Sequence, residues 1–205
     1  KGEHVVAIVD IADSAHPLAL GTRRGVVKRV QPDIVNKPLY DIITLADRDE
    51  VVGAANAADA DELCFITDEA QLLHFPAASV RPQGRPASGM AGIACDDDVS
   101  VLYFGAVPAD AEVITVAGTR NALPGADPGT IKRTPFALYP GKGRATGGVR
   151  CHGFRKGEDH LSFAAITPPE PRLAGPQGAP VETPERNERR DGTGSPLQDV
   201  VEAAG

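Results

Sequence analysis

The chain has 205 residues, 41% of them hydrophobic and 24% charged, with a formal net charge of −7. That apolar content suffices for one sizeable core, and 22 glycines with 18 prolines fit turn-rich β-structure better than low complexity. No apolar run approaches the roughly 18 residues of a membrane span, and no secretory signal precedes the first strand pattern, so a cytoplasmic protein without a membrane partner is expected. It opens at Lys1 rather than methionine, and a piece cut from something larger is expected.

Strand signals dominate along the chain, with no well-capped amphipathic helix of ten or more residues. A first strand is predicted at 5–9. Residues 18–30 then read as an apolar strand, a turn and a basic strand that ends Lys28-Arg29-Val30. A strand is predicted at 39–45. The stretch 51–60 falls where a connector between repeats belongs, with a helix as the alternative on its alanine content. The hairpin pattern returns at 63–75 and at 113–120, where the basic strand at 130–134, with Lys132 and Arg133, follows an insertion. Starts near 18, 63 and 113 give a period of roughly 45 to 50 residues, the range of four-stranded propeller blades.

Further strands are predicted at 99–104 and 160–166. At Thr167 the composition turns to proline and charge. Residues 180–184 are predicted to add an edge strand that helps close a final blade against the N-terminal strand, with 185–205 as a mobile tail. The expected fold is all-β: a propeller-like disc of about four small blades over 1–184, three from the hairpin repeats and one from residues 5–9, 160–166 and 180–184, followed by a proline-rich tail.

The loops after the hairpins repeat as well. Gly84-Arg85 opens a glycine-rich stretch that aligns with the one opened by Gly143-Arg144, after a one-residue gap. Glycine permits close backbone approach, and arginine presents a permanently charged fork suited to phosphate. Residues 81–160 carry 10 basic side chains against 8 acidic, whereas 1–80 carry 7 against 13 and 161–205 carry 4 against 7. A polyanion is steered by the local field rather than the total. The candidate DNA-facing residues are therefore Arg23, Arg24, Lys28, Arg29, Arg85, Arg120, Lys132, Arg133, Lys142, Arg144 and Arg150. Period-2 alternation lets only one of each Lys-Arg neighbour pair point at DNA.

No catalytic set emerges. Cys64, Cys95 and Cys151 are odd in number and widely spaced, and buried reduced thiols are expected. The acids at 96–98 read as a solvated turn rather than a metal site, and 141–146 lacks the spacing of a nucleotide-binding phosphate loop. No catalytic residue, metal or cofactor is expected. With no tryptophan and no recognition helix, contact falls on the phosphate backbone rather than on bases.

Residues 21–29, 65–74, 85–93 and 129–134, taken in order, resemble the C-terminal β-pinwheel of the A-type subunits of bacterial type IIA topoisomerases, shared by gyrase and topoisomerase IV. The resemblance covers roughly 4–166. It implies a non-catalytic domain that bends duplex DNA around a basic rim, independently of sequence, and presents segments to a strand-passage core. Its implied partners are DNA, the rest of the topoisomerase polypeptide that carries it and, through that, the ATPase-bearing companion polypeptide, with a nucleoid-associated location. The glutamine-arginine-glycine box that marks gyrase is degenerate in Gln83-Gly84-Arg85-Pro86-Ala87-Ser88-Gly89. That loss points to a topoisomerase IV-like role in relaxation and decatenation. A gyrase wrapping domain and a propeller scaffold that binds protein rather than DNA are the alternatives.

Overall fold

The computed structural model describes residues 4–9, 16–31, 37–121 and 129–205. Its strands, in chain order, are β1 (Leu18–Thr22), β2 (Val26–Val30), β3 (Val51–Asn56), β4 (Glu62–Thr67), β5 (Gln71–Pro76), β6 (Met90–Ala91), β7 (Val101–Ala106), β8 (Glu112–Gly118), β9 (Thr130–Pro135), β10 (Val149–Arg150), β11 (His160–Thr167), β12 (Leu173–Ala174), β13 (Pro180–Val181), β14 (Ser195–Pro196) and β15 (Ala203–Ala204). They form four sheets, ordered β3-β1-β2-β6, β7-β4-β5-β10, β11-β8-β9-β14 and β15-β12-β13. The fold is the expected all-β, four-bladed pinwheel.

One rule builds the three larger blades. The first strand of each hairpin pairs with a later strand of its own repeat, as β1 does with β3 and β8 with β11. The second strand is covered by a two-residue strand from the following repeat: β6 on β2, β10 on β5, β14 on β9. Each repeat thus covers a strand edge of the one before it, an edge that would otherwise stand open. The hairpin turns share a left-handed residue at one position, Gly25 (φ 78°), Ala70 (φ 60°) and Gly129 (φ 80°). A Cβ on Gly129 would lie 1.9 Å from the Ala117 carbonyl oxygen, so that turn demands glycine.

The chain divides into two compact units. The first comprises Lys1–Phe65, Leu73–Ala106 and Gly141–Gly148, the second Ile66–Leu72, Val107–Pro140 and Val149–Gly205. In the first, Phe65, Phe75 and Phe104 anchor a core with Leu63, Leu73, Val27 and Val101. The Phe65 and Phe104 rings are 4.7 Å apart, centroid to centroid, and tilted. Gly21 pairs with Gly53 across β1 and β3, and a Cβ on Gly21 would lie 2.1 Å from the Phe104 ring. The missing side chains make the recess that holds it. In the second unit, Ile114, Val116 and Ile131 pack with Leu173, Leu197 and Val201.

Several expectations need correction. Residues 5–9 belong to no strand, and Val5 and Ile8 are exposed. Residues 39–45 are likewise outside any strand, because their polar backbone faces a loop instead of a ladder: Thr44 N–H donates to Ala87 O. The stretch 51–60 is neither helix nor plain connector, since β3 occupies most of it. β11 completes the third blade, and the fourth is β12, β13 and β15, with β13 pairing to β12 rather than to residues 5–9. Residues 185–205, read as a mobile tail, supply β14 and β15 and bury Leu197 and Val201. Cys64 and Cys151 are buried free thiols, and Cys95 is half-buried. No helix among the described residues is long and apolar enough to cross a membrane.

His152 is fully buried in the second unit. Its Nε2 accepts the Gly194 N–H at 3.2 Å, so Nδ1 carries the proton and donates to Thr115 Oγ1 at 2.8 Å. Burial, with Lys132 and Arg155 nearby, pulls its pKa down to about 3. The unfolded chain takes up this proton near 6.5 and the folded one only near 3, so stability is present above 6.5 and lost as pH falls through that window. The full loss is on the order of 5 kcal/mol. Thermal midpoints recorded from about pH 7 to about pH 3.5 should therefore fall less steeply for His152→Asn than for the parent; parallel curves would contradict the assignment.

Candidate nucleic-acid interface

The basic hairpin residues are held from within. Lys28 is fully buried, and its Nζ donates to the carbonyls of Ile42 (2.7 Å), Arg85 (2.6 Å) and Ala87 (2.6 Å). An ammonium has three protons, and here each meets an oxygen. Burial lowers the Lys28 pKa from its ordinary value. Arg29 is turned to the other side, where its guanidinium donates to Ala77 O, Val80 O and Ala57 O and pairs with Asp59 at 2.8 Å. Alternation thus separates the two, but both faces are covered.

The third repeat copies this plan. Lys132 is buried and donates to the carbonyls of Arg189 and Arg190, and burial takes its pKa down to about 8. Arg133 pairs with the buried Glu112, which also meets Arg186. In the second repeat the matching positions hold Leu73 and His74, and His74 pairs with Glu62 at 2.8 Å. Lys28, Arg29 and Lys132 are thus corrected from DNA-facing candidates to internal fasteners, because their burial leaves no path to a ligand. Arg133 is largely covered as well.

What those cations fasten is a set of loops. Gln83 N–H donates to Arg29 O (2.8 Å) and Gly92 N–H to Gly25 O (2.8 Å), framing the first Gly-Arg loop. Lys142 N–H donates to His74 O (3.1 Å) and Cys151 N–H to Ala70 O (2.8 Å), framing the second. A third frame was not legible from the sequence: Asn187 N–H to Arg133 O (2.8 Å) and Leu197 N–H to Gly129 O (2.9 Å). Within the first unit the two Gly-Arg loops are tied together by Ala145 N–H to Gly92 O (2.6 Å) and Ala94 N–H to Thr146 O (3.0 Å). Arg144 donates to the Ala91 carbonyl across the same junction.

The other candidates lie outside the core. The Arg85 guanidinium sits 5.5 Å from the Tyr40 ring centroid, a cation–π distance. Lys142, Arg150 and Arg24 are exposed. Arg23 is exposed but paired with Glu50. Arg120 reaches Asp68 at 2.9 Å, and that carboxylate is almost fully buried. Among the described residues no group of three or more His, Cys, Asp or Glu side chains is placed to hold a metal ion.

The model of the DNA gyrase C-terminal domain, a β-propeller, matches residues 61–108 and 129–168, which include both Gly-Arg loops but neither the first hairpin nor the third frame. Over these residues, under half of its length, the chain is similar to that family. The DNA gyrase A protein of Chlamydia pneumoniae is 32% identical over 103 residues, covering 47% of this chain and 12% of that protein. That of Staphylococcus aureus is 26% identical over 149 residues, or 71% of this chain and 16% of that protein. This chain thus spans under a fifth of either relative. In fold it is similar to the C-terminal domain of DNA topoisomerase IV (TM-score 0.75, 18% identity, covering 93% of this chain and 59% of that one). It is also similar to the DNA gyrase A C-terminal domain (TM-score 0.70, 15% identity, 95% and 64%).

Arg120, itself exposed, holds the buried Asp68 carboxylate. Arg120→Ala removes an ion-pair partner from the buried Asp68 carboxylate, and the expected loss is roughly 1–3 kcal/mol in urea unfolding, largely recovered by adding Asp68→Asn. Additive effects of the two substitutions would show that the pair is not coupled.

Proposed function

We propose that this C-terminal domain of a type IIA topoisomerase binds and bends duplex DNA, independently of sequence, and presents it to a catalytic core carried elsewhere in the same polypeptide. The observation that carries this reading is the pair of interlocked Gly-Arg loops in the first unit. Their backbones are fixed by hydrogen bonds, while Lys142 is exposed and Arg85 and Arg144 are half-exposed. Fixed backbone with cations reaching solvent suits phosphate contact, and among the described residues nothing nearby supplies a base-reading helix. The partners this reading requires are the rest of the gyrase A-like polypeptide and its ATPase-bearing companion.

The degenerate box at 83–89 favours bending in the service of relaxation and decatenation over the tight wrap of gyrase. Relatives that are themselves gyrase A proteins favour the alternative of a gyrase wrapping domain.

Fluorescence anisotropy with a labelled duplex of several helical turns tests the reading. Affinity should fall linearly in log salt, and Arg85→Ala with Arg144→Ala should lower the slope by roughly one to two without changing the thermal midpoint by more than a few degrees. No binding at low salt would refute it and leave a protein-binding scaffold.

A further inference from the structure

The third frame, residues 187–197, repeats the first in its hydrogen bonds. A buried hairpin lysine donates to two of its carbonyls, from Arg189 and Arg190, as Lys28 does to Arg85 and Ala87. Its entry amide is bonded to the carbonyl of the hairpin arginine, and its exit amide to the carbonyl of the turn glycine. The parallel bridges Val30↔Gln83 and Arg133↔Arg186 mark the same entry. Counting from that entry amide, the third residue of every loop is an arginine: Arg85, Arg144 and Arg189. A glycine, Gly89, Gly148 or Gly194, precedes each two-residue strand.

The three loops differ in how their arginines are engaged. Arg85 stacks near Tyr40, and Arg144 donates to a carbonyl. Arg189 is exposed, and its bonds use only its backbone: its N–H donates to Asn187 Oδ1 at 2.9 Å, and its carbonyl accepts from Lys132 and from the Gly192 N–H. Arg190, half-exposed, likewise uses its carbonyl. Among the described residues neither guanidinium makes a hydrogen bond or an ion pair. Arg155, which donates to the Gly194 carbonyl at 2.6 Å, adds a further cation beside the loop. Glu188 and Asp191 share the loop, and Asp191 lies close enough to Lys132 to favour its charge.

We infer that residues 187–194 form a phosphate-binding loop for the DNA backbone, in which Arg189 and Arg190 are the principal contacts, stronger than Arg85 and Arg144. This rests on the DNA-binding reading above. A guanidinium already stacked or bonded to protein must give up that contact or share it, whereas an unengaged one on a fixed backbone meets a phosphate without that cost.

The test compares Arg189→Ala/Arg190→Ala with Arg85→Ala/Arg144→Ala in the whole chain, using the same labelled duplex across a salt series. The first double variant should bind roughly tenfold or more weakly at about 0.1 M salt, with a log-salt slope smaller by about two and a larger loss than the second shows. Arg189→Lys/Arg190→Lys, which keeps the charge, should retain most of the affinity and controls for folding. If the parent binds and the Arg189→Ala/Arg190→Ala variant binds equally well, or loses less than the Arg85→Ala/Arg144→Ala variant, this inference is overturned while the DNA-binding reading stands. If the parent binds no duplex even at low salt, the DNA-binding reading fails, and the inference with it.

Discussion

Two of the three proposed DNA-facing loops, the first and the third, depend on one kind of interaction: a buried lysine whose protons are taken up by backbone carbonyls of the loop. A two-residue strand such as β6 or β14 contributes too few ladder bonds to hold its own place. Lys28 and Lys132 supply charge-assisted bonds at the loops these strands terminate, each worth more than a neutral one. The chemistry is reciprocal. Burying an ammonium is tolerable only if its donors are satisfied, and loop carbonyls turned inward need donors.

This economy shapes how an acidic chain can approach a polyanion. Of the cations that the sequence nominates, Lys28, Arg29 and Lys132 lie inside, Arg133 is mostly covered, and Arg23 and Arg120 are matched by Glu50 and Asp68. What remains are a few loop arginines and lysines on rigid frames. On the proposed reading, DNA binding through so few contacts should be modest in affinity and readily dissolved by salt.

The hairpins, the repeat, the all-β class and the four-blade count are legible in the sequence because apolar alternation and turn residues are local signals. The Lys-Arg doublets mislead because a charged pair in a strand looks the same whether it faces water or carbonyls. Only the placement of distant loops decides which, residues 77–87 beside Lys28 and Arg29 among them. The last repeat escapes for a different reason: β12 to β15 are two residues long, too short for any periodicity, and their anchors, Leu197 and Val201, are too few to set a pattern. Pattern alone therefore puts Arg189 and Arg190 in a tail, when they sit in a frame that shares the plan of the first. Residues 39–45 pose the reverse problem, a strand-like pattern whose backbone is taken by Lys28 and the Gly-Arg loop.

The most direct test of the fastening role is amide hydrogen exchange on Lys28→Met, read residue by residue. Met keeps most of the length of the stem and removes the three donors. If the lysine holds the loop, protection should drop at Ala87 and Gly92 and at Thr44, whose amide donates to Ala87 O, while the β1–β2 ladder stays protected. Unchanged protection at those loop amides, or a uniform loss across the first unit, would contradict the account.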